Sequence, residues 1–416
     1  MKTPSRLEAT GTARDQVNHP GFPKAGPGAA GRRSQTAARS EGGDRTAPRK
    51  GLSCARDLNG RARFRTEQAM ALENTLSAAK GLIRSGASLA YYATGHHKRA
   101  NLGQFVVLMY HRVLRDDDPY IPYIQPGMYV RESSFAKQLE FLTDNYQVVS
   151  LQEMLDLIGA GQVSKHRQYC VVTFDDGWLD NYQHAFPLLK RFSVPATIFL
   201  TASFVGTHRF FWHEKISRLF YLARSESGNG APRPGRIRDE SDDTLAMLKR
   251  HMFSGESSAT AVDMAIEAMK SLPVSQIEQL VDELAVELGI GLEGERTMLS
   301  WDEIGEMGRN GISFGSHTCE HRILTRIDLR EAALEIEASM EKLKSRELNY
   351  VPVFCYPNGL YNEQIRSLVR DAGYSAAVTT KLGRQSGELK DPFTIARIGI
   401  HDDIARSKPL LSFRLR

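Results

Sequence analysis

The chain has little cysteine: Cys54, Cys170, Cys319 and Cys355 are four among 416 residues. That is too few to brace a disulfide-framed fold, so the structure must rest on a packed core. The sequence has no run of about eighteen apolar residues, which argues against a membrane-spanning helix. It opens with no basic-then-apolar leader, and on that ground a cytoplasmic location is favoured. A concentrated basic face is also missing from most of the chain. Residues 1–69 carry fourteen Lys or Arg against six Asp or Glu, eight charges in surplus, whereas the whole chain is only +5. The remaining residues are therefore net −3, and no nucleic-acid partner is expected. What the chain does have is 41% hydrophobic residues, enough for a substantial core in two or three domains, or in one α/β barrel with additions.

The most informative stretch is Val171-Val172-Thr173-Phe174-Asp175-Asp176-Gly177-Trp178. Cys170 to Thr173 read as a short buried strand. Two adjacent carboxylates and a glycine then mark where the chain leaves a sheet, the place where α/β proteins put their chemistry. Adjacent side chains point in different directions, so one acid can hold a metal while its neighbour takes a proton. Far downstream, Ser316-His317-Thr318-Cys319-Glu320-His321 follows a second short strand, Ile312 to Gly315. Two histidines four apart can face one cation if the segment is a helical turn. Asp176, His317 and His321 together would leave coordination positions open for water and substrate, as catalytic zinc requires. Cys319 and Cys355 lie inside site motifs, but small buried filler is the expected role of a free cysteine.

These two motifs resemble the first two motifs of the polysaccharide deacetylases, carbohydrate esterase family 4 with the NodB-homology domain. The resemblance runs from roughly Phe105 to His401. It takes in Leu108-Met109-Tyr110-His111-Arg112-Val113 and Phe354-Cys355-Tyr356-Pro357-Asn358-Gly359. It implies a distorted (β/α) barrel with fewer than eight repeats, and a metal-dependent hydrolase that removes acetyl groups from a glycan. It further implies Asp176, His317 and His321 as metal ligands, with Zn2+ the expected ion, and Asp175 as general base. The backbone N–H of Asn358 would be the oxyanion donor, and His401 the acid that protonates the leaving amine. The better-known pattern has an arginine where Cys355 stands, and its task is to steady the base. Arg397, on the last strand, is the substitute suggested by position. His111 is expected to be structural or to support the metal residues. No counterpart of the family's fourth motif is evident, although Asp402 or Asp403 could orient His401.

The rest of the chain fits this frame. Residues 1–69 read as a disordered basic tail and 70–104 as a helix with a linker, the helix carrying Leu72, Leu76, Ala79, Leu82 and Ile83 on one stripe. Packing on the domain is the expected use of that stripe, and peripheral membrane contact the alternative. Residues 105–403 form the barrel domain and 404–416 a C-terminal tail. Strand and helix patterns alternate up to Leu200, as parallel strands with helices outside would. Ser133 is expected to cap a helix, and Pro187 to break one. The loop 116–131 could form a sugar-binding rim. Residues 207–297 interrupt the rhythm with a polar loop over 225–241 and helices near 243–253, 259–271 and 275–288, the last opened by a Ser275–Glu278 capping box. A lid or groove wall is the expected role of this insertion. Ser300–Glu303 is a second capping box, and Thr394 to Ile400 the final strand. The partner expected is an acetylated glycan. Removal of N-acetyl groups is the leading reaction, O-deacetylation the close alternative, and glycan binding without catalysis the alternative from another class.

Overall fold

The computed structural model describes residues 79–226, 243–253 and 257–416. The 1–69 tail, residues 70–78 and most of the 225–241 loop lie outside these. In chain order the strands are β1 (Gln104–Tyr110), β2 (Arg112–Leu114), β3 (Tyr129–Arg131), β4 (Gln147–Val148), β5 (Tyr169–Phe174) and β6 (Ala196–Leu200). They continue as β7 (Ile312–Ser316), β8 (Tyr350–Cys355), β9 (Ala376–Val378), β10 (Gln385–Ser386) and β11 (Ile398–Gly399). Helix α1 covers 79–93. After it come α2 (Glu132–Asn145), α3 (Leu151–Gly159), α4 (Phe186–Phe192), α5 (Trp212–Glu226), α6 (Asp243–Met252), α7 (Ser258–Met269) and α8 (Val274–Leu288). The last are α9 (Trp301–Gly308), α10 (Leu329–Lys344), α11 (Glu363–Asp371), α12 (Asp402–Ala405) and α13 (Lys408–Arg414).

The central sheet runs β1-β5-β6-β7-β8-β9 with every neighbour parallel. All six residues of β5, from Tyr169 to Phe174, are buried. An unbroken apolar run is what a strand covered on both faces needs, and it is why no alternation shows in the sequence. The sheet curls. Ile395 bridges Val378 in parallel, and β11 pairs with β1, so 395–399 joins the two edges of the sheet. The result is a distorted α/β barrel with fewer than eight repeats. Only two residues of the strand expected over Thr394 to Ile400 keep ladder pairing, because Pro392–Thr394 forms a 3-10 turn before it.

Several local expectations are corrected. Ser133 does not cap α2: the helix starts one residue earlier, and the Ser133 hydroxyl bonds Asp116 at 2.5 Å. Ser275 caps nothing, since α8 begins at Val274 with Pro273 in the cap position. The Ser300–Glu303 capping box is formed in both directions, worth about 1 kcal/mol for such a cap. The helix expected through Pro187 splits into a π-helical turn, Asn181–Ala185, and α4, with the proline in α4's first turn. A proline there loses no intrahelical hydrogen bond. Residues 404–416 are folded and not a tail: Leu411 and Leu415 are fully buried.

Helices α5 to α8 pack around their own apolar cluster, which includes Ile216, Phe220, Val262, Ile266, Val281 and Leu284. The 116–131 loop joins this insertion to the barrel. Tyr120 and Tyr123 both set their rings edge-on to Tyr221 at 5.3 Å, and the Gln125 amide donates to Asp263 at 3.0 Å.

Candidate active site

The parallel strands end at one rim. There β1 delivers His111, β5 delivers Asp175 and Asp176, β7 delivers His317, and β8 runs into Pro357-Asn358-Gly359. Of the five described non-glycine residues with positive φ, four lie here: Asp176 at 76°, Thr318 at 64°, His321 at 56° and Asn358 at 55°. Such backbone costs on the order of 1–3 kcal/mol per residue and is kept where it aims a functional side chain. The His317–His321 segment is therefore not the helical turn that the spacing allows. It is an irregular loop whose left-handed residues swing both rings toward Asp176. Gly359, at φ 68°, permits the turn after Asn358, since a Cβ there would sit 2.1 Å from the Thr380 hydroxyl.

Asp176 Oδ1 lies 3.4 Å from His317 Nε2 and 3.5 Å from His321 Nε2. These three ligand atoms lie within 4.8 Å of one another, so the residues fit a divalent cation. The surrounding contacts support that fit. His317 Nδ1–H donates to the Cys355 carbonyl at 2.8 Å, which leaves Nε2 directed at Asp176. The Trp178 indole N–H donates to Asp176 Oδ2 at 2.8 Å, leaving Oδ1 to face the two imidazoles. Burial works against ionised Asp176, but the bond from His317 and the charge of His321 hold its pKa below the usual carboxylate range. Burial also disfavours a charged His317, yet Cys355 and the Asp176 carboxylate outweigh it and raise that ring's pKa. His321 goes the other way, to about 3, chiefly through burial and then through His317 beside it.

Asp175 stands outside this triad. The buried Arg397 guanidinium grips both its carboxylate oxygens, each at 2.7 Å. The same guanidinium donates to Thr379 O at 3.0 Å, Thr173 Oγ1 at 3.1 Å and Cys355 Sγ at 3.2 Å. Burial would raise the Asp175 pKa, but Arg397 more than offsets it and the net shift is downward. The small Cys355 side chain leaves room for an arginine that arrives from beside β11. Cys355 is thus occupied by Arg397 and the His317 contact, and the atoms of the Asp175, His317 and Cys355 group, although close together, include a carboxylate already committed to the guanidinium.

A cavity of about 250 Å³ opens over these groups. Asp175, Asp176, His317, His321, His111 and Asn358 form one side of it. Trp212 and His213 from α5, Ile266 and Lys270 at α7, and Val274 of α8 form another, with Gln125 to Met128 of the 116–131 loop between them. The insertion is therefore a wall of the cavity. His111 Nε2 is 4.0 Å from Asp175 Oδ2. His401 follows β11 at the same rim but does not line the cavity, and its Nδ1 is 3.3 Å from Asp403. Sequence reasoning passed over His213. Its ring stacks on Phe211 at 5.3 Å, and its Nε2 is buried without a protein partner. Burial, moderated by Asp176, pushes its pKa down to about 4. The only sequence signal was a polar residue after the Phe210-Phe211-Trp212 run.

A parallel α/β barrel with a buried carboxylate–imidazole triad that fits a cation, beside a separate paired acid, is an arrangement suited to hydrolysis. Comparison with known proteins agrees. The family description for polysaccharide deacetylases matches residues 162–377, more than half of the chain, and the chain belongs to that family. YxkH of Bacillus subtilis (strain 168) is 22% identical over 282 residues, 67% of this chain and 66% of that protein, so the match spans just under two thirds of the relative. Among solved structures, the Streptococcus pyogenes deacetylase PplD in complex with acetate is 18% identical with a TM-score of 0.49, covering 75% of this chain and 98% of that one. IcaB from Ammonifex degensii is 21% identical with a TM-score of 0.47, covering 76% and 97%.

Proposed function

We propose that the protein removes N-acetyl groups from an amino-sugar residue of a glycan, with a zinc-type divalent cation held by Asp176, His317 and His321. When bound, the cation acidifies coordinated water and polarises the substrate carbonyl. Asp175 accepts the proton of the attacking water. Arg397 keeps that carboxylate ionised and fixes its plane, so Arg397 is a positioning residue. The Asn358 backbone N–H, set by its positive φ at the cavity wall, donates to the oxygen that becomes negative. The leaving amine takes its proton from an imidazole at the rim, His401 as the resemblance implies or His111, which already faces the cavity.

The observation that carries this reading is the division of labour between neighbours: Asp176 turned to two imidazoles, and Asp175 paired with a buried arginine but still facing the cavity. A cradle for a cation beside an independent base is what hydrolysis of an unactivated amide needs. The experiment is acetate release from a panel of N-acetylated and O-acetylated sugars, with and without chelator. N-acetyl substrates should be hydrolysed and chelator should abolish the reaction. Turnover confined to O-acetyl sugars would overturn the proposed reaction, and turnover that survives removal of all metal would overturn the mechanism.

A further inference from the structure

Helix α1 is fastened to the domain by one side only. Ser88 is buried, Tyr91 meets Phe413 edge-on at 5.9 Å, and Tyr92 stacks on His97 at 4.7 Å. At 100° per residue those positions share one face. The opposite face is made of Ala79, Leu82, Ile83, Gly86, Leu89, Ala90 and Ala93, and every one of them is exposed. Leu82 is 75% exposed, Ile83 72% and Leu89 60%. A domain helix normally turns its apolar stripe inward; this one turns it outward.

Charge indicates what covers that stripe. Residues 74–101 contain no Asp or Glu, and neither do residues 404–416. Lys80 borders the Ile83 edge of the stripe, and Arg84 lies beyond it on the side that meets the domain. The chain end adds Arg414 and Arg416: Arg84 is close enough to help push the Arg414 pKa down, after burial, and Arg416 is close enough to act on Tyr91 together with Arg384. An outward stripe of leucine and isoleucine beside a basic chain end, where the neighbouring Glu140 and Asp144 are paired with Lys408, matches an anionic bilayer, which supplies acyl chains for the stripe and phosphates for the cations.

We infer that α1 and the basic chain end form a peripheral membrane-binding surface for anionic lipid. Among the described residues no helix is long and apolar enough to cross a bilayer, so the contact is interfacial. It also has a direction. Asn101, just before β1, bonds the Leu415 carbonyl at 2.7 Å and the Tyr146 hydroxyl at 3.0 Å. The surface therefore lies at the start of β1, while the cavity lies past the end of that strand. A bilayer under α1 leaves the cavity facing water.

The test is sedimentation of the full chain with vesicles of phosphatidylcholine alone and of phosphatidylcholine mixed with phosphatidylglycerol. The chain should pellet with the mixed vesicles, less so at high salt, and weakly with the neutral ones. The basic residues 1–69 would add salt-dependent attraction of their own, so apolar substitutions are decisive. Leu82→Glu with Ile83→Glu should weaken binding on the order of tenfold or more, and Lys80→Glu with Arg84→Glu by a similar factor. Both pairs are exposed, so the melting temperature and turnover of a soluble substrate should not change. Absence of binding to mixed vesicles, or binding that survives Leu82→Glu with Ile83→Glu, overturns the inference. So does a concentration-dependent dimer that the same variant dissociates, because a second copy would then cover the face.

Discussion

The molecule buries two arginines against carboxylates close to one cavity, and the two do opposite things. Arg397 faces one acid and binds it with both arms, and the Asp175 pKa falls. Arg112 faces two: its Nε donates to Asp180 at 2.8 Å, and an Nη lies 3.4 Å from Glu214. Burial there outweighs a shared cation, and the pKa values of Asp180 and Glu214 both rise. All three acids are buried; the number of arginines per acid differs. The one-to-one pair keeps Asp175 ionised beside Asp176, His317 and His321. The one-to-two cluster ties the insertion, through Glu214 on α5, to the barrel. It also reaches the triad, since the Arg112 guanidinium lies 4.5 Å over the ring of Trp178, whose N–H bonds Asp176.

The largest effect should come from the triad that lies between the two arginine sites. Asp176→Ala or His317→Ala should lose bound metal by elemental analysis and reduce acetate release to background. Acidification should release the metal from the unsubstituted protein as well, because protons compete for the His317 and His321 nitrogens. Metal retained in Asp176→Ala would dissolve the distinction between the two acids.

Next, Arg397→Met strands a buried carboxylate. The expected loss is about 3–5 kcal/mol of stability in denaturant unfolding and kcat lower by on the order of 10²-fold with KM little changed. Without its cation the Asp175 pKa rises, so the acid limb of the kcat profile should move to higher pH, and Arg397→Lys should restore part of it. An unmoved limb with intact kcat would remove Arg397 from the mechanism.

Arg112→Met should act mainly on stability. Asp180 and Glu214 have raised folded pKa values, so the folded state binds protons that the unfolded state releases, and stability falls as pH rises through that window. Removing Arg112 raises both values further, and the loss of melting temperature should be larger at pH 7 than at about pH 5. Asp175 has the opposite sign: its lowered pKa gives stability that disappears as pH falls below the ordinary aspartate value of about 3.9. A deficit in Arg112→Met that does not depend on pH would show that the two-acid cluster is not what sets its cost.

The rim imidazoles come last, because only one of them should matter strongly. Whichever of His111→Ala and His401→Ala lowers kcat by about 10²-fold or more identifies the proton donor, and the other should change little. His213→Gln should raise KM by about tenfold or less, as loss of a wall contact would, with bound metal unchanged.

Much of this was legible in the sequence because the physics is local. The buried run ending in Asp175-Asp176-Gly177 declared a strand and a corner, and His317 and His321 repeated that grammar at Ser316. The resemblance then joined corners that are 141 residues apart in the numbering. Capping was less legible. Ser300 and Ser275 have the same spacing to a glutamate, yet only Ser300 caps, because Pro273 already fixes the backbone entering α8. Arg397 could be suggested only by position, since nothing near it in the chain needs a cation. His213 went unnoticed because its significance is a partnerless nitrogen beside a cavity made from distant residues.

By itself, then, the sequence determined the strand-ending acids, the two imidazoles that follow the second strand, the parallel alternation and the apolar stripe of α1. Each depends on neighbours within a few residues, where side-chain chemistry and backbone preference suffice. Tertiary structure alone decided that the loop carrying His317 and His321 is left-handed instead of helical, that an arginine from beside β11 fills the space above Cys355, and that the α1 stripe faces outward. Those outcomes depend on which surfaces close over which charges, and burial and electrostatics act through space between groups that the chain order keeps apart.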